Sequence, residues 1–308
     1  MKEIEVLRMD AKTVTIYRIS IAVILILSLI SGIFAVLSYN YEFEFNANHF
    51  KFDATFAPAF KAVTAVSVVI AVVCAVFFNS KIAIKSPPPM NTSVMFSSLL
   101  AGAFLIVFSL MDLFGNLGAG STADSLFSIA KNVMGLPAGA CFIACALVPQ
   151  KKVYSRPVFM FLTFAPVIWM IVSLMAFYFS GLYALNSPVK ISIQLMYVAL
   201  MLFFPNDCRF ILGRYNARTY IFTGSCAVLF AGIVAFPNVF TYLSAPGIFN
   251  FTFVEGFLYL ALWAYVLTRL ISLKTVLVSR DVYGNGNASG GAGNAGSGSA
   301  PKKKKIRW

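Results

Sequence analysis

Eight stretches of this chain are each about as long and as apolar as a bilayer-crossing helix must be, and that feature sets the fold class. A helix spanning the hydrocarbon core needs roughly 20 mostly apolar residues. Segments near 18–40, 57–79, 95–115, 125–148, 157–181, 188–204, 219–237 and 252–273 qualify. The sixth is the shortest, bounded by Pro188 and Pro205, which punctuate a helix at both ends. The expected fold is all-α: a polytopic transmembrane helical bundle of about eight helices. Composition agrees, because 59% of the 308 residues are hydrophobic and 11% charged, against about 25% charged in a soluble domain. Such a chain lacks the polar surface that water demands, whereas lipid solvates apolar side chains directly.

The loops carry the orientation signal. One set of helix ends holds Lys2, Arg8, Lys12, Arg18, Lys81, Lys85, Lys151, Lys152, Arg156, Arg209, Arg214, Arg218, Arg269, Lys274, Arg280 and the terminal basic cluster, 20 of the 24 basic residues. The other set holds Lys51, Lys61, Lys131 and Lys190. Basic residues concentrate on the cytoplasmic side of membrane proteins, so both termini are expected there, in a multi-pass protein of the cell membrane. The organisation is then a cytoplasmic segment over 1–17, a membrane domain over 18–282 and a flexible cytoplasmic tail over 283–308. The first apolar run exceeds the roughly 7–15 residues of a signal-peptide core and reads as a retained anchor.

The first outer loop alternates apolar and charged residues in Tyr41-Glu42-Phe43-Glu44-Phe45 and Phe50-Lys51-Phe52-Asp53, around a turn-like Asn46-Ala47-Asn48. Period-two alternation about a polar turn predicts a small β-hairpin. The last outer loop, Pro237 to Phe251, carries no charge and holds Phe240, Tyr242 and Phe249. An echo links Phe77-Phe78-Asn79 to Phe203-Phe204-Pro205-Asn206 at an offset of 126 residues, which would map helices 2–4 onto 6–8. Duplicated halves of this kind occur in transporters.

Catalytic chemistry finds little to work with. The one histidine, His49, lies in the outer loop, and there is no metalloprotease motif, phosphate-binding glycine loop or nucleophile elbow. The protein is therefore expected not to be an enzyme and to need no cofactor or metal. Of the five cysteines, Cys74, Cys141, Cys145 and Cys226 lie in apolar runs and Cys208 in a basic loop, a distribution that argues against a disulfide framework.

Ionisable residues within the apolar runs are better leads, because a charge at the bilayer centre costs roughly 2.5–3.5 kcal/mol on insertion scales. Lys61, Asp112, Lys131 and Glu255 all fall in outer halves of their helices. Ser109, Asp112 and Asn116 repeat on one face of helix 3; Asp124, Ser128, Lys131, Gly135 and Ala138 do so on helix 4. Such a stripe faces another helix or a cavity rather than lipid. Pro137 kinks helix 4 beside it and frees the carbonyl of Val133. Two readings stand: a structural Asp112–Lys131 pair, or a substrate site built from Ser109, Asp112, Asn116, Ser128, Lys131, Gly135 and Glu255. On the second, the protein is a small-solute transporter or permease; the alternative is a noncatalytic membrane sensor or partner-binding subunit.

The tail runs through Gly, Asn, Ser and Ala to Lys302, Lys303, Lys304, Lys305, Arg307 and Trp308. The nearest polyanion to a membrane-tethered tail is the cytoplasmic leaflet, and each basic residue near it contributes about 1 kcal/mol. Trp308 favours the interface. The expected partner is anionic lipid headgroups rather than nucleic acid.

Overall fold

The computed structural model describes residues 2–44, 47, 49–84, 90–117, 123–147, 161–181, 184, 186–211, 216–244 and 253–279. The chain forms eight main helices: α1 (Lys2–Leu37), α2 (Phe56–Lys81), α3 (Thr92–Leu117), α4 (Ala123–Leu147), α5 (Ala165–Phe179), α6 (Pro188–Ile211), α7 (Ala217–Ser244) and α8 (Phe253–Leu273). A π-helical turn, Ser38–Glu42, extends α1. Seven of these helices are long and apolar enough to cross a membrane, and α5 is a shorter apolar helix of 15 residues.

The distribution of side chains is that of a protein dissolved in hydrocarbon. On α1 the exposed residues include Ile19, Ile26, Ile30 and Ile33, and on α2 Val66, Val69, Val73 and Val76. The buried polar residues are dominated by serines, among them Ser28, Ser67, Ser98 and Ser109. Small hydroxyl residues let helices approach and hydrogen-bond across their contacts, while the large apolar residues face lipid. These features are those of an integral membrane protein.

Helices α3 to α8 close a ring. Each packs on the next in chain order, and α8 returns to pack on α3. Helices α1 and α2 lie outside the ring against α7. Side-chain bonds fasten these contacts: Ser98 Oγ donates to Phe142 O at 2.8 Å between α3 and α4, and Tyr17 OH to Leu270 O at 2.7 Å between α1 and α8. Helices α3 and α4 approach closely at two glycines. A Cβ on Gly102 would lie 2.7 Å from Gly139 O, and one on Gly139 2.9 Å from Gly102 O.

The expected hairpin is present and minimal. Strand β1 (Phe43–Glu44) pairs antiparallel with β2 (His49–Phe50), in the register Phe43 to Phe50 and Glu44 to His49. Just before it, Glu42 caps α2: its Oε1 accepts from Thr55 N at 2.6 Å, Thr55 Oγ1 at 3.0 Å and Phe56 N at 2.7 Å, and its Oε2 from Ala57 N at 2.8 Å. Free amides and partial positive charge at a helix N-terminus suit a carboxylate. At the opposite end of the bundle, β3 (Ile82–Ile84) pairs antiparallel with β4 (Leu277–Ser279), tying the segment after α2 to the segment after α8. The apolar pattern did not anticipate this second pair.

Several helix ends differ from expectation: the fifth helix, expected over 157–181, is the 15-residue Ala165–Phe179. Helix α6 does not stop at Pro205 but continues to Ile211, and α7 runs through Pro237 to Ser244. A proline inside a helix removes one backbone bond and kinks the chain, and membrane helices tolerate that when neighbouring groups compensate. Beside Pro205, Asn206 Nδ2 donates to Leu202 O at 2.8 Å. The extension turns Cys208 from a loop residue into a buried helical one whose Sγ donates to Thr163 O at 3.0 Å.

Candidate functional site

Polar side chains gather at two centres, one toward each end of the ring. The first, at the end carrying β1 and β2, contains the sequence-predicted pair. Lys131 Nζ lies 3.2 Å from Asp112 Oδ2, bringing α4 and α3 together through their short connection. The same carboxylate oxygen accepts from Asn132 Nδ2 at 2.8 Å and from Ser128 Oγ at 3.4 Å. The ammonium also sits 4.8 Å from the ring centroid of Phe108, a favourable cation–π placement. Side chains of the pair remain 18% and 34% exposed, so solvent or headgroups screen them.

The remaining predicted residues divide. Glu255 belongs to this end: its Oε1 accepts from Tyr259 OH at 2.6 Å, and Tyr259 OH in turn lies 2.8 Å from Tyr197 OH. Ser109 is buried against Gly135, where a Cβ would collide with the serine hydroxyl. Asn116 lies in α3, but its side chain is outside the described residues, as is that of Asp124 in α4. Lys61 is exposed, 5.9 Å from the Phe50 ring centroid, a surface position. The tail residues Lys302, Lys303, Lys304, Lys305, Arg307 and Trp308 also lie outside the described residues.

The second centre was not expected. It sits at the end carrying β3 and β4 and is more deeply buried than the first. Asp207 on α6 and Arg269 on α8 are 6% and 5% exposed. Arg269 Nε and Nη2 donate to Asp207 Oδ1 at 3.0 and 2.6 Å. Tyr220 OH on α7 adds a bond to Oδ1 at 3.0 Å, and Tyr265 OH on α8 one to Oδ2 at 2.9 Å. Thus the carboxylate gathers donors from two further helices, the condition under which a buried ion pair is tolerated. Arg269 Nη1 is buried and has no hydrogen-bond partner among the described residues.

The sequence does contain a signal for this centre. Asp207 is the one acidic residue between Asp124 and Glu255, and Arg269 lies inside the apolar helix Phe253–Leu273. Reading Pro205 as a helix end placed Asp207 in a loop, where a lone carboxylate among arginines carries no message.

Between the centres the interior is aromatic. Phe142 from α4, Phe204 from α6 and Tyr265 from α8 meet in one cluster, with centroids 5.6 Å apart for Phe142–Phe204, 5.1 Å for Phe142–Tyr265 and 6.3 Å for Phe204–Tyr265. Helix α8 contributes to all three layers: Glu255 and Tyr259 at one end, Tyr265 in the belt, Arg269 at the other end. At 1.5 Å per residue, Glu255 and Arg269 are ~21 Å apart along it.

Among the described residues, no group of three or more His, Cys, Asp or Glu side chains is placed to hold a metal ion. Cys141 and Cys145, one turn apart on α4, have Sγ atoms 4.0 Å from each other, and all five cysteines are free. No protein-family model, no curated protein and no solved structure matches the chain, so the two centres have to be interpreted from their own chemistry.

Proposed function

We propose that this protein is a small-solute transporter or permease, and not an enzyme. The observation that carries the reading is the layered interior of the α3–α8 ring: a polar centre at each end, an aromatic belt between them, and one helix, α8, that shares in all three. A carrier needs polar groups reachable from each side and a barrier that is never open to both. Ionisable groups within a membrane are costly to bury and characteristically mark solute and ion pathways. In this reading Asp112, Lys131 and Glu255 face the outer side and Asp207 with Arg269 the cytoplasmic side. Both termini are cytoplasmic, in the cell membrane, and the basic tail contacts anionic lipid. The belt of Phe142, Phe204 and Tyr265 separates the two half-paths.

Cysteine accessibility in sealed vesicles tests this. Single cysteines at Ser128 and Thr268 report on the two ends. A carrier exposes them in turn, so trapping one end open should lower labelling at the other. Two ends that stay unreactive to a small hydrophilic reagent under all conditions would overturn the proposal. That outcome would favour the second reading, a noncatalytic sensor or partner-binding subunit. The observation favouring it is the tight closure of the same aromatic belt.

A further inference from the structure

The bonded carboxylates of this protein divide by the kind of group that holds them. Asp207 is held by the guanidinium of Arg269. Asp112 is held by the ammonium of Lys131 and the amide of Asn132. Glu42 is held by three backbone amides. Ammonium, guanidinium and amide N–H groups only donate, so these partners suit an ionised carboxylate and cannot reverse. Glu255 has a partner of another kind. Its Oε1 meets the hydroxyl of Tyr259 at 2.6 Å, and a hydroxyl can donate or accept. That bond is kept in either charge state: ionised, Glu255 accepts from Tyr259, and protonated, it donates.

The hydroxyls extend this bond into a chain. Tyr259 OH lies 2.8 Å from Tyr197 OH on α6. A hydroxyl carries one proton, so while Tyr259 donates to Glu255, Tyr197 donates to Tyr259, and both O–H bonds point toward the carboxylate. A proton on Glu255 Oε1 reverses that sense. The carboxyl group then donates to Tyr259, and Tyr259 to Tyr197, with the same oxygens in contact. The two tyrosines are buried. Glu255 is half-buried in the first turn of α8, where a proton can reach it from the end of the bundle that carries β1 and β2.

The helices around Glu255 bring few other charges to it. Helix α8 packs on α3 and α7. Asp112 from α3 and Lys131 from α4 act on Glu255 through space with opposite signs, and they are bound to each other. The one charged residue of α7, Arg218, lies in its first turn at the other end, and Tyr242 of α7 packs on Phe253. From α6 come Tyr197 and Lys190, whose ammonium donates to Ser180 O at 2.9 Å. Helix α1 is bonded to α8 farther along, at Trp263 and Leu270. We propose that Glu255 is a proton-binding site, loaded from the outer side, and that the Tyr259–Tyr197 chain carries its state from α8 to α6. The step balances simply: a hydronium ion gives its proton to Glu255 Oε1 and leaves as water. The proton needs no cavity at these atoms, only the bonds already there. This assignment rests on the transport reading and names the proton as the coupling ion.

The test uses the full-length protein in nanodiscs, with infrared difference spectra recorded as the buffer is acidified. Glu255→Gln should remove one carboxyl component from the pH-dependent spectrum. Tyr259→Phe keeps that carboxyl group but removes its partner, and should move the midpoint of the component by about one pH unit. Tyr197→Phe, one bond farther away, should move it less. A spectrum unchanged in Glu255→Gln, or a component lost in Asp112→Asn instead, would overturn the site. So would a midpoint that Tyr259→Phe leaves in place, and that variant decides alone if Glu255→Gln fails to fold. Sealed vesicles separate the site from the transport reading. With Ser128→Cys or Thr268→Cys as reporters, an imposed pH gradient should shift thiol labelling from one end to the other, and Glu255→Gln should abolish the shift. A shift that persists in Glu255→Gln rejects the proton site and keeps transport. A carboxyl component that Glu255→Gln removes, with no labelling at either end under any gradient, keeps the site and rejects transport.

Discussion

Tyr265 OH donates a hydrogen bond to Asp207 Oδ2 at 2.9 Å while its ring packs edge-on against Phe142, so the aromatic belt and the buried ion pair share one residue. Any movement of α8 that opens the belt must also disturb a carboxylate that holds Arg269 and Tyr220. The belt and the pair should respond together to mutation.

The ion pair should be costly to break from one side and tolerant of removal from both. Removing one partner of a buried pair costs about 3–5 kcal/mol, because the survivor is left charged and unpaired, whereas apolar replacement of both is often near neutral. Asp207→Leu and Arg269→Met should each lower the unfolding midpoint strongly in detergent, and the double variant should recover most of the loss. A double variant as unstable as the sum of its parts would contradict this.

The outer pair should behave more mildly. Asp112 and Lys131 are in contact but partly exposed, so a double-mutant cycle between Asp112→Ala and Lys131→Ala should yield a coupling of about 1 kcal/mol or less. Additive losses would show that the contact carries no energy. Raising salt should shrink the coupling further, because exposed charges are screened.

Glu42 should matter for stability although it lies beside the hairpin. Its carboxylate accepts four bonds at the start of α2. Glu42→Ala leaves those donors without it and should cost about 1–3 kcal/mol. Glu42→Gln, which keeps an acceptor oxygen, should lose less. Thermal melts of the three proteins rank them directly.

Topology can be checked by thiol labelling. Cys208 is buried on Thr163, so its silence toward an outside reagent reports burial rather than orientation. In a cysteine-free background, Asp53→Cys should react in intact cells and Arg209→Cys only after permeabilisation, both positions being exposed. The reverse result would invert the proposed orientation.

The tail should dock reversibly on anionic lipid. A peptide of residues 284–308, with four lysines, one arginine and a terminal tryptophan in its last eight residues, should bind anionic vesicles and shift Trp308 fluorescence to the blue. Neutral vesicles should bind it poorly, and salt should release it. Equal binding to both vesicle types would leave the tail with a topological role only.

The sequence by itself determined the helices, because each span is a local property of some twenty residues meeting a fixed hydrocarbon thickness. It also determined the Asp112–Lys131 contact, since a short connection forces α3 and α4 to lie side by side with those residues at one depth. The hairpin of β1 and β2 was legible for the same reason, as a pattern within a single loop. Only the tertiary structure decided the rest. Asp207 on α6 and Arg269 on α8 have the whole of α7 between them in sequence, and Ser109 on α3 and Trp169 on α5 both come up to Gly135 on α4. A soluble helix announces its inner face by an apolar stripe, but a membrane helix is apolar on every side, so its inward face carries little signal. Pro205 shows the same limit at a helix end. Its ring says that a backbone bond is lost, and only the packed neighbours decide whether the helix stops there or, as in α6, continues and carries a buried carboxylate.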